Sequence, residues 1–172
     1  MSQDQLYEQT VSEFGPALER LARSYEADPD KRRDLLQEIH LAAWRSFEGF
    51  EAQCSLRTWV YRVAHNVAAS HVIRSRRARS MTQVSLDEIE SLPVDHDTGA
   101  AFDRQNTLER LYALIQQLNP LEKEVILLYL EGLDAASIGE IAGISPGNVA
   151  TKIHRIKKIL ATRFSQGERN GK

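Results

Sequence analysis

The sequence has little of what secreted, membrane or metal-dependent proteins rely on. Cys54 is the only cysteine, so no internal disulfide can form. The start, MSQDQLYEQT, lacks the basic and then apolar stretch of a signal peptide, and nowhere do about 18 apolar residues run uninterrupted, so neither export nor membrane insertion is expected. A reducing cytoplasm is the expected compartment. His40, His65, His71 and Cys54 show neither His pairing four apart nor CxxC spacing, so no metal is expected. No nucleophile stands with a base and no glycine loop could cradle a phosphate, so no catalytic residue and no cofactor is predicted.

What remains is ordinary in bulk and uneven in detail. With 42% apolar and 27% charged residues, the 172-residue chain has the composition of a folded soluble protein, one domain or two small ones. Its net charge of −2 conceals a strong segregation. Residues 57–79 hold six arginines and no acid, and residues 151–172 hold seven Lys or Arg against one Glu. Between them, residues 80–109 hold seven acids against one arginine. Two separate basic blocks of this kind suit a polyanion.

The dominant period is helical. Leu6, Thr10, Phe14, Leu18, Leu21 and Tyr25 lie three or four apart, on one helix or on two joined at Gly15-Pro16. Asp28-Pro29 has the form of an N-cap with proline at the first position, and Leu35, Ile39, Ala43 and Phe47 follow as a second apolar run. Glu48 to Cys54 reads as a loop. Ser55 then caps a long helix with the predicted buried stripe Leu56, Val60, Val63 and Val67, running into RSRRAR. From Ser80 to about Arg104 the period fails, and Pro93, Gly99 and the acids Asp87, Glu88, Glu90, Asp95, Asp97 and Asp103 give a linker composition.

The period returns at Leu108, Leu111, Ile115 and Leu118, and Asn119-Pro120 with Glu122 has capping-box spacing for a helix ending near Gly132. A short helix over Ala135 to Ala142, a turn at Gly143-Ile144-Ser145 and a second helix with the stripe Val149, Ile153, Ile156 and Leu160 describe a helix-turn-helix. Asn148, Thr151, Lys152, Arg155 and Lys158 are left outward, short polar groups first and cations further along, as base edges and then phosphates require of a duplex reader. A helical hairpin with a solvated basic face is the plainer alternative. The earlier basic helix interleaves Arg57 and Arg62 with Trp59, Tyr61, His65 and Asn66, a mixture suited to a single strand whose bases stack and expose their edges. In the plainer reading, Trp59 and Tyr61 are core aromatics and the arginines are solvated.

Two sets of residues carry a family resemblance. Asp34-Leu35-Leu36-Gln37-Glu38, Ala43-Trp44-Arg45 and Ser55 through Asn66 resemble region 2 of the extracytoplasmic-function sigma factors of bacterial RNA polymerase. Leu118-Asn119-Pro120, Glu131-Gly132-Leu133, Gly143-Ile144-Ser145 and Val149 through Arg155 resemble their region 4. The resemblance implies an all-α chain of two small helical domains, 1–79 and 105–172, joined by a flexible acidic linker over 80–104, the second domain containing the helix-turn-helix. It implies that Asp34, Leu35, Gln37 and Glu38 dock on the clamp helices of the largest polymerase subunit. Phe50, Arg57, Trp59, Arg62 and Asn66 would open the −10 element and hold a flipped base. Asn148, Thr151, Lys152, Arg155 and Lys158 would read the −35 element, with that domain on the flap of the second-largest subunit. The linker would lie in the polymerase's nucleic-acid channels. Many such factors are held by an anti-sigma factor, which the resemblance adds to core polymerase and promoter DNA as a partner. The chain departs from the family at Lys31, Arg32 and Arg33, where acids are usual, at Ser70, where Asp is frequent, and at Ala150, where a base is frequent.

Two other functions compete. A freestanding helix-turn-helix regulator would leave the Arg57 to Arg79 helix unexplained, and a helical adaptor binding protein through the Leu35 region would leave both basic faces merely solvated.

Overall fold

A computed structural model describes residues 1–79 and 104–169, so all of the expected linker but Arg104 lies outside the described residues. Every regular element among the described residues is helical. The N-terminal half comprises α1 (Gln3–Tyr25), α2 (Pro29–Ser46), a 3-10 turn (Phe47–Gly49) and α3 (Leu56–Arg79). The C-terminal half comprises α4 (Arg104–Gln117), α5 (Pro120–Leu130), α6 (Ala135–Ala142) and α7 (Pro146–Arg169). No helix among the described residues is long and apolar enough to cross a membrane.

Helix starts follow the local chemistry. The Asp28 carboxylate accepts from the backbone N–H groups of Asp30 and Lys31 ahead of Pro29, and Ser55 Oγ accepts from Thr58 N at 3.0 Å. Asn119 takes Glu122 N at 3.0 Å, but the reciprocal half of the capping box is not made, because the Glu122 side chain turns inward. Pro16 sits inside an unbroken 23-residue α1 rather than at a junction. Gly132 and Gly143 end α5 and α6 at φ +80° and +73°, a conformation that L side chains resist.

The N-terminal core is the seam where α1, α2 and α3 meet. Leu18, Leu35, Ile39, Val60, Ala64 and Ala68 are all completely or almost completely buried there. Each large aliphatic among them contributes about 1.5–3 kcal/mol of burial. The seam of α3 is therefore Val60, Ala64, Ala68 and Val72; of the expected stripe only Val60 is fully buried, while Leu56, Val63 and Val67 are half-buried at its edge. The difference arises because α3 is packed on two sides, against α1 and α2 and also against α6. A stripe read for one buried face cannot place a helix with two. For α7, Val149 and Ile156 are buried as expected, and Ile159 lies deeper than Leu160.

The halves share their apolar interior. Ile115, Leu118, Ile126, Leu127, Ile156 and Ile159 join the cluster built on Leu18 and Val60, while Ala17 and Tyr61 join the cluster formed by Val125, Leu128, Ile138 and Val149. Tyr25 stands where they meet. Its hydroxyl lies 2.9 Å from His65 Nδ1 and the Lys123 ammonium is 5.0 Å from its ring centroid.

Burial depresses the His65 imidazole to about 3. An unfolded chain protonates this histidine near pH 6.5 while the folded chain keeps it neutral, so its contribution to stability is complete above pH 6.5 and is lost as pH falls toward 3. Urea unfolding should show this residue accounting for about 2 kcal/mol of lost stability between pH 7 and pH 5. In His65→Gln that part of the slope disappears; an identical pH dependence in both chains would remove the assignment.

Candidate nucleic-acid interface

Three surfaces bear the residues singled out in the sequence. On α3, Trp59, Arg62 and Asn66 follow one another at spacings of three and four and so share a face, whereas Arg57 is turned toward Tyr61, its guanidinium 6.0 Å from that ring. Asn66 is exposed and Trp59 half-buried. The indole donates to Ser46 Oγ at 2.8 Å, and the Phe50 ring lies between Trp59, tilted at a centroid distance of 5.3 Å, and Phe47, edge-on at 6.4 Å. Phe50 and Trp59 thus hold the 50–55 loop against the end of α2, and within that loop Ala52 takes the left-handed backbone at φ +56°. Tyr61 is core, at 3% exposure, as the plainer reading had it.

The second surface is the outer face of α2. Asp34, Gln37 and Glu38 are exposed, and Arg74 of α3 donates to Glu38 at 2.7 Å. Leu35 departs from expectation. It is wholly buried between α1 and α3, one residue out of phase with the exposed face, and is unavailable to a partner. The apolar groups beside Asp34 and Gln37 are instead Leu41 and Trp44, three or four residues apart and 48% and 37% exposed. Trp44 is fixed from α1, its indole donating to Asp4 at 3.0 Å and its carbonyl accepting from Gln3 at 2.8 Å. The spacing from Gln37 was the available signal for both.

The third surface is the helix-turn-helix of α6 and α7. Gly143 N and Ile144 N both donate to Gly139 O, at 2.9 and 3.2 Å, and Ser145 Oγ accepts from Asn148 N at 3.2 Å. Asn148, Thr151, Arg155 and Lys158 are exposed and Lys152 is half-buried. The Thr151 hydroxyl donates back to Gly147 O at 3.0 Å, leaving its lone pairs and methyl outward. Lys157 is drawn off this face to the Tyr129 hydroxyl at 3.1 Å.

No local pattern signals that the first and third surfaces touch. Arg62 Nη2 donates to the Glu140 carbonyl in the last turn of α6 at 2.9 Å, and Arg57 Nη2 to the Glu131 carbonyl that closes α5 at 2.8 Å. The Glu131 carboxylate holds Arg20 of α1 in a fork, at 2.7 and 2.8 Å. Nearby, burial raises the Glu124 carboxyl to about 7 against the opposing charge of Arg62. Burial also lowers Lys123 to about 8, helped by Arg76 and opposed by Glu26. Among the described residues no cluster of His, Cys, Asp and Glu could hold a metal.

Comparison with known proteins decides what these surfaces belong to. The family model for sigma-70 region 2 matches residues 10–78, and that for sigma-70 region 4 matches residues 108–160. The chain belongs to the sigma-70 family, as an RNA polymerase sigma factor of the extracytoplasmic-function type. Among curated relatives, it is 28% identical over 138 residues to the ECF RNA polymerase sigma-E factor of Haemophilus influenzae, covering 76% of this chain and 73% of that one. It is 26% identical over 140 residues to RNA polymerase sigma-H factor of Pseudomonas aeruginosa, covering 77% and 72%. Two solved structures share the fold. RpoE of Bartonella quintana, in complex with the anti-sigma factor NepR, superposes with a TM-score of 0.66 at 20% identity over 92% of this chain and 96% of that one. CnrH, with the cytosolic domain of CnrY, gives 0.63 at 21% identity over 93% and 88%. All of this places the sigma factor among DNA-binding initiation factors.

The turn of the helix-turn-helix makes one strict demand on its sequence. A Cβ added at Gly139 would stand 2.6 Å from the Ile144 carbonyl oxygen, a backbone atom that cannot swing aside. Gly139→Ala should therefore lower stability by about 1–3 kcal/mol despite alanine's better helix propensity. Thermal unfolding measures it, and an unchanged or raised Tm would show that the turn yields.

Proposed function

We propose that this sigma factor acts as a promoter-specificity subunit with three working surfaces and no chemistry of its own. The outer face of α2, with Asp34, Gln37 and Glu38 around Leu41 and Trp44, docks on the clamp helices of the largest polymerase subunit. Its polar rim and exposed aromatic centre are the makeup of a protein interface. Arg57, Trp59, Arg62 and Asn66, with the 50–55 loop, open the −10 element. Phe50 and Trp59 serve by shaping that loop, and Arg62 and Asn66 meet the strand. The domain over 105–172 reads the −35 element through α7 and sits on the flap of the second-largest subunit, while 80–104 threads the nucleic-acid channels. An anti-sigma factor is the proposed regulator, supported by the two fold relatives that were solved with CnrY and NepR. The observation that carries the reading is the sequence of two region matches, each with its exposed polar face on one helix.

Strand opening is tested with Asn66→Ala, because this side chain is exposed and its loss leaves the core alone. Trp59→Ala is a poorer probe, since it also removes the support of the 50–55 loop. Permanganate footprinting with reconstituted holoenzyme should show −10 reactivity reduced about tenfold or more in Asn66→Ala, the loss of one or two good base contacts. Opening at the wild-type level would remove Asn66 from the role.

On α7 the two ends should behave differently. Lys158→Ala is expected to weaken all −35 sequences alike and to lower the salt slope by about one unit. Lys152→Ala should cost about 1–3 kcal/mol on the preferred sequence and little on mismatched ones. Holoenzyme binding to a panel of −35 variants at several salt concentrations reads both. Equal weakening of every sequence by both substitutions would make Lys152 a phosphate contact only.

A further inference from the structure

One concentration of cations includes no residue of α3 or α7. A cleft of about 470 Å³ opens between α1, the first turns of α2 and Tyr112 of α4, a size that suits a small molecule. Arg20 and Arg23 line it from α1, and Arg32 and Arg33 from α2. Of the described residues around it, Glu19 is the one acid. Two of the four guanidinium groups are well occupied, Arg20 by the Glu131 fork at 2.7 and 2.8 Å and Arg23 by the Tyr112 ring, 4.2 Å from its centroid. The other two are less so. Arg33 is paired with Asp30 at 4.0 Å, in a contact whose side chains are 73% and 92% exposed and which therefore holds it weakly. Arg32 donates through Nη2 to the Ala27 carbonyl at 3.0 Å, while its Nε is buried and has no hydrogen-bond partner among the described residues.

The cations on α2 stand against the local rule. Lys31, Arg32 and Arg33 are the third to fifth residues of the helix, where the dipole disfavours positive charge. Asp28 does little for these side chains, because its carboxylate is taken by the backbone N–H groups of Asp30 and Lys31. Local rules broken in this way are characteristic of functional sites, where a bound group can supply the missing charge. We propose that the cleft binds a small molecule carrying a phosphate or pyrophosphate group, held by Arg32 and Arg33 with Arg23 beside them. Guanidinium forks match phosphate oxygens two at a time, and a modest turn of the Arg32 side chain brings its Nε and Nη edge to such a group, which gives the buried donor a partner. An anion there also answers the dipole of α2. Leu36 and Tyr112, both half-buried, form an apolar side on which the remainder of an organic ligand, such as the ring of a nucleotide, would lie. None of these residues belongs to the three working surfaces given above, so the two readings fail separately.

The test titrates the full chain with inorganic pyrophosphate, ADP and adenosine by isothermal calorimetry at about 0.15 M salt, where loose attraction between exposed charges is screened. Saturable binding of pyrophosphate and ADP, and none of adenosine, is expected. Arg33→Gln changes an exposed side chain and leaves the core alone, and should weaken both about tenfold, the loss of one charge-assisted contact. Arg32→Lys keeps the charge but loses the fork and the Nε donor, and should weaken both to a similar extent. Two variants control for general attraction to a cationic surface. Arg45→Gln removes an exposed cation from the far end of α2, and Lys158→Ala removes one from α7; both should bind the probes as wild type does. Thermal unfolding checks that each variant is folded. ADP bound more tightly than pyrophosphate identifies an organic ligand lying on Leu36 and Tyr112, whereas equal binding identifies the inorganic ion as the source of the group.

Wild-type chain that binds neither pyrophosphate nor ADP saturably overturns the site. Folded Arg33→Gln and Arg32→Lys chains that bind as wild type do so too. A loss in Arg45→Gln or Lys158→Ala as large as that in Arg33→Gln would show attraction spread over the whole cationic surface, and overturns it equally.

Discussion

Helix α3 is asked to be core and surface at once, and the rest of the molecule is arranged around that constraint. Its seam of Val60, Ala64, Ala68 and Val72 is buried against α1 and α2, and small residues at two of those positions let the helices approach closely. The remaining circumference must then carry the arginines, the amide of Asn66 and the ring of Trp59. With so little of the helix free, a neighbour on that side takes up much of what remains. The C-terminal half is such a neighbour, and it meets α3 through the carbonyl ends of two helices, groups that ask for cations as a phosphate does.

Charge thus has different work on the two basic helices. On α7 Arg155, Lys157 and Lys158 are exposed, although Lys157 is held by the Tyr129 hydroxyl, while Lys152 is half-buried and Arg163 is buried. On α3 three arginines have protein partners. Arg57 and Arg62 hold helix ends, and Arg74 holds Glu38 on the α2 face. A count of positive residues treats these helices alike, although on α3 three of the arginines hold protein groups of other helices.

Aromatic residues divide in the same way. Phe50, Trp59 and Phe47 form a tilted, edge-on cluster at the 50–55 loop, Tyr61 and Tyr25 belong to the interior, and among the described residues only Trp44 combines an aromatic ring with substantial exposure. That division corrects which apolar residues the α2 face can offer. Leu35 lies inside, and Leu41 with Trp44 lies outside, because a one-residue change of phase on a helix turns a side chain through about 100°.

By itself the sequence determined the elements. Asp28-Pro29, Ser55, Asn119-Pro120 and Gly143-Ile144-Ser145 act within a few residues of themselves, so caps, turns and the helix-turn-helix were legible from spacing alone, and the motif order carried the family. Single-faced stripes were legible for the same reason, as Leu35, Ile39, Ala43 and Phe47 show. Tertiary structure alone decided which side of α3 was buried, which of Trp59 and Tyr61 entered the core, and that Arg20 would meet Glu131 111 residues away. A local pattern reports that a face is apolar; it cannot report how many neighbours a helix has. Pairing of distant groups depends on how whole helices pack, and no spacing within either segment encodes it.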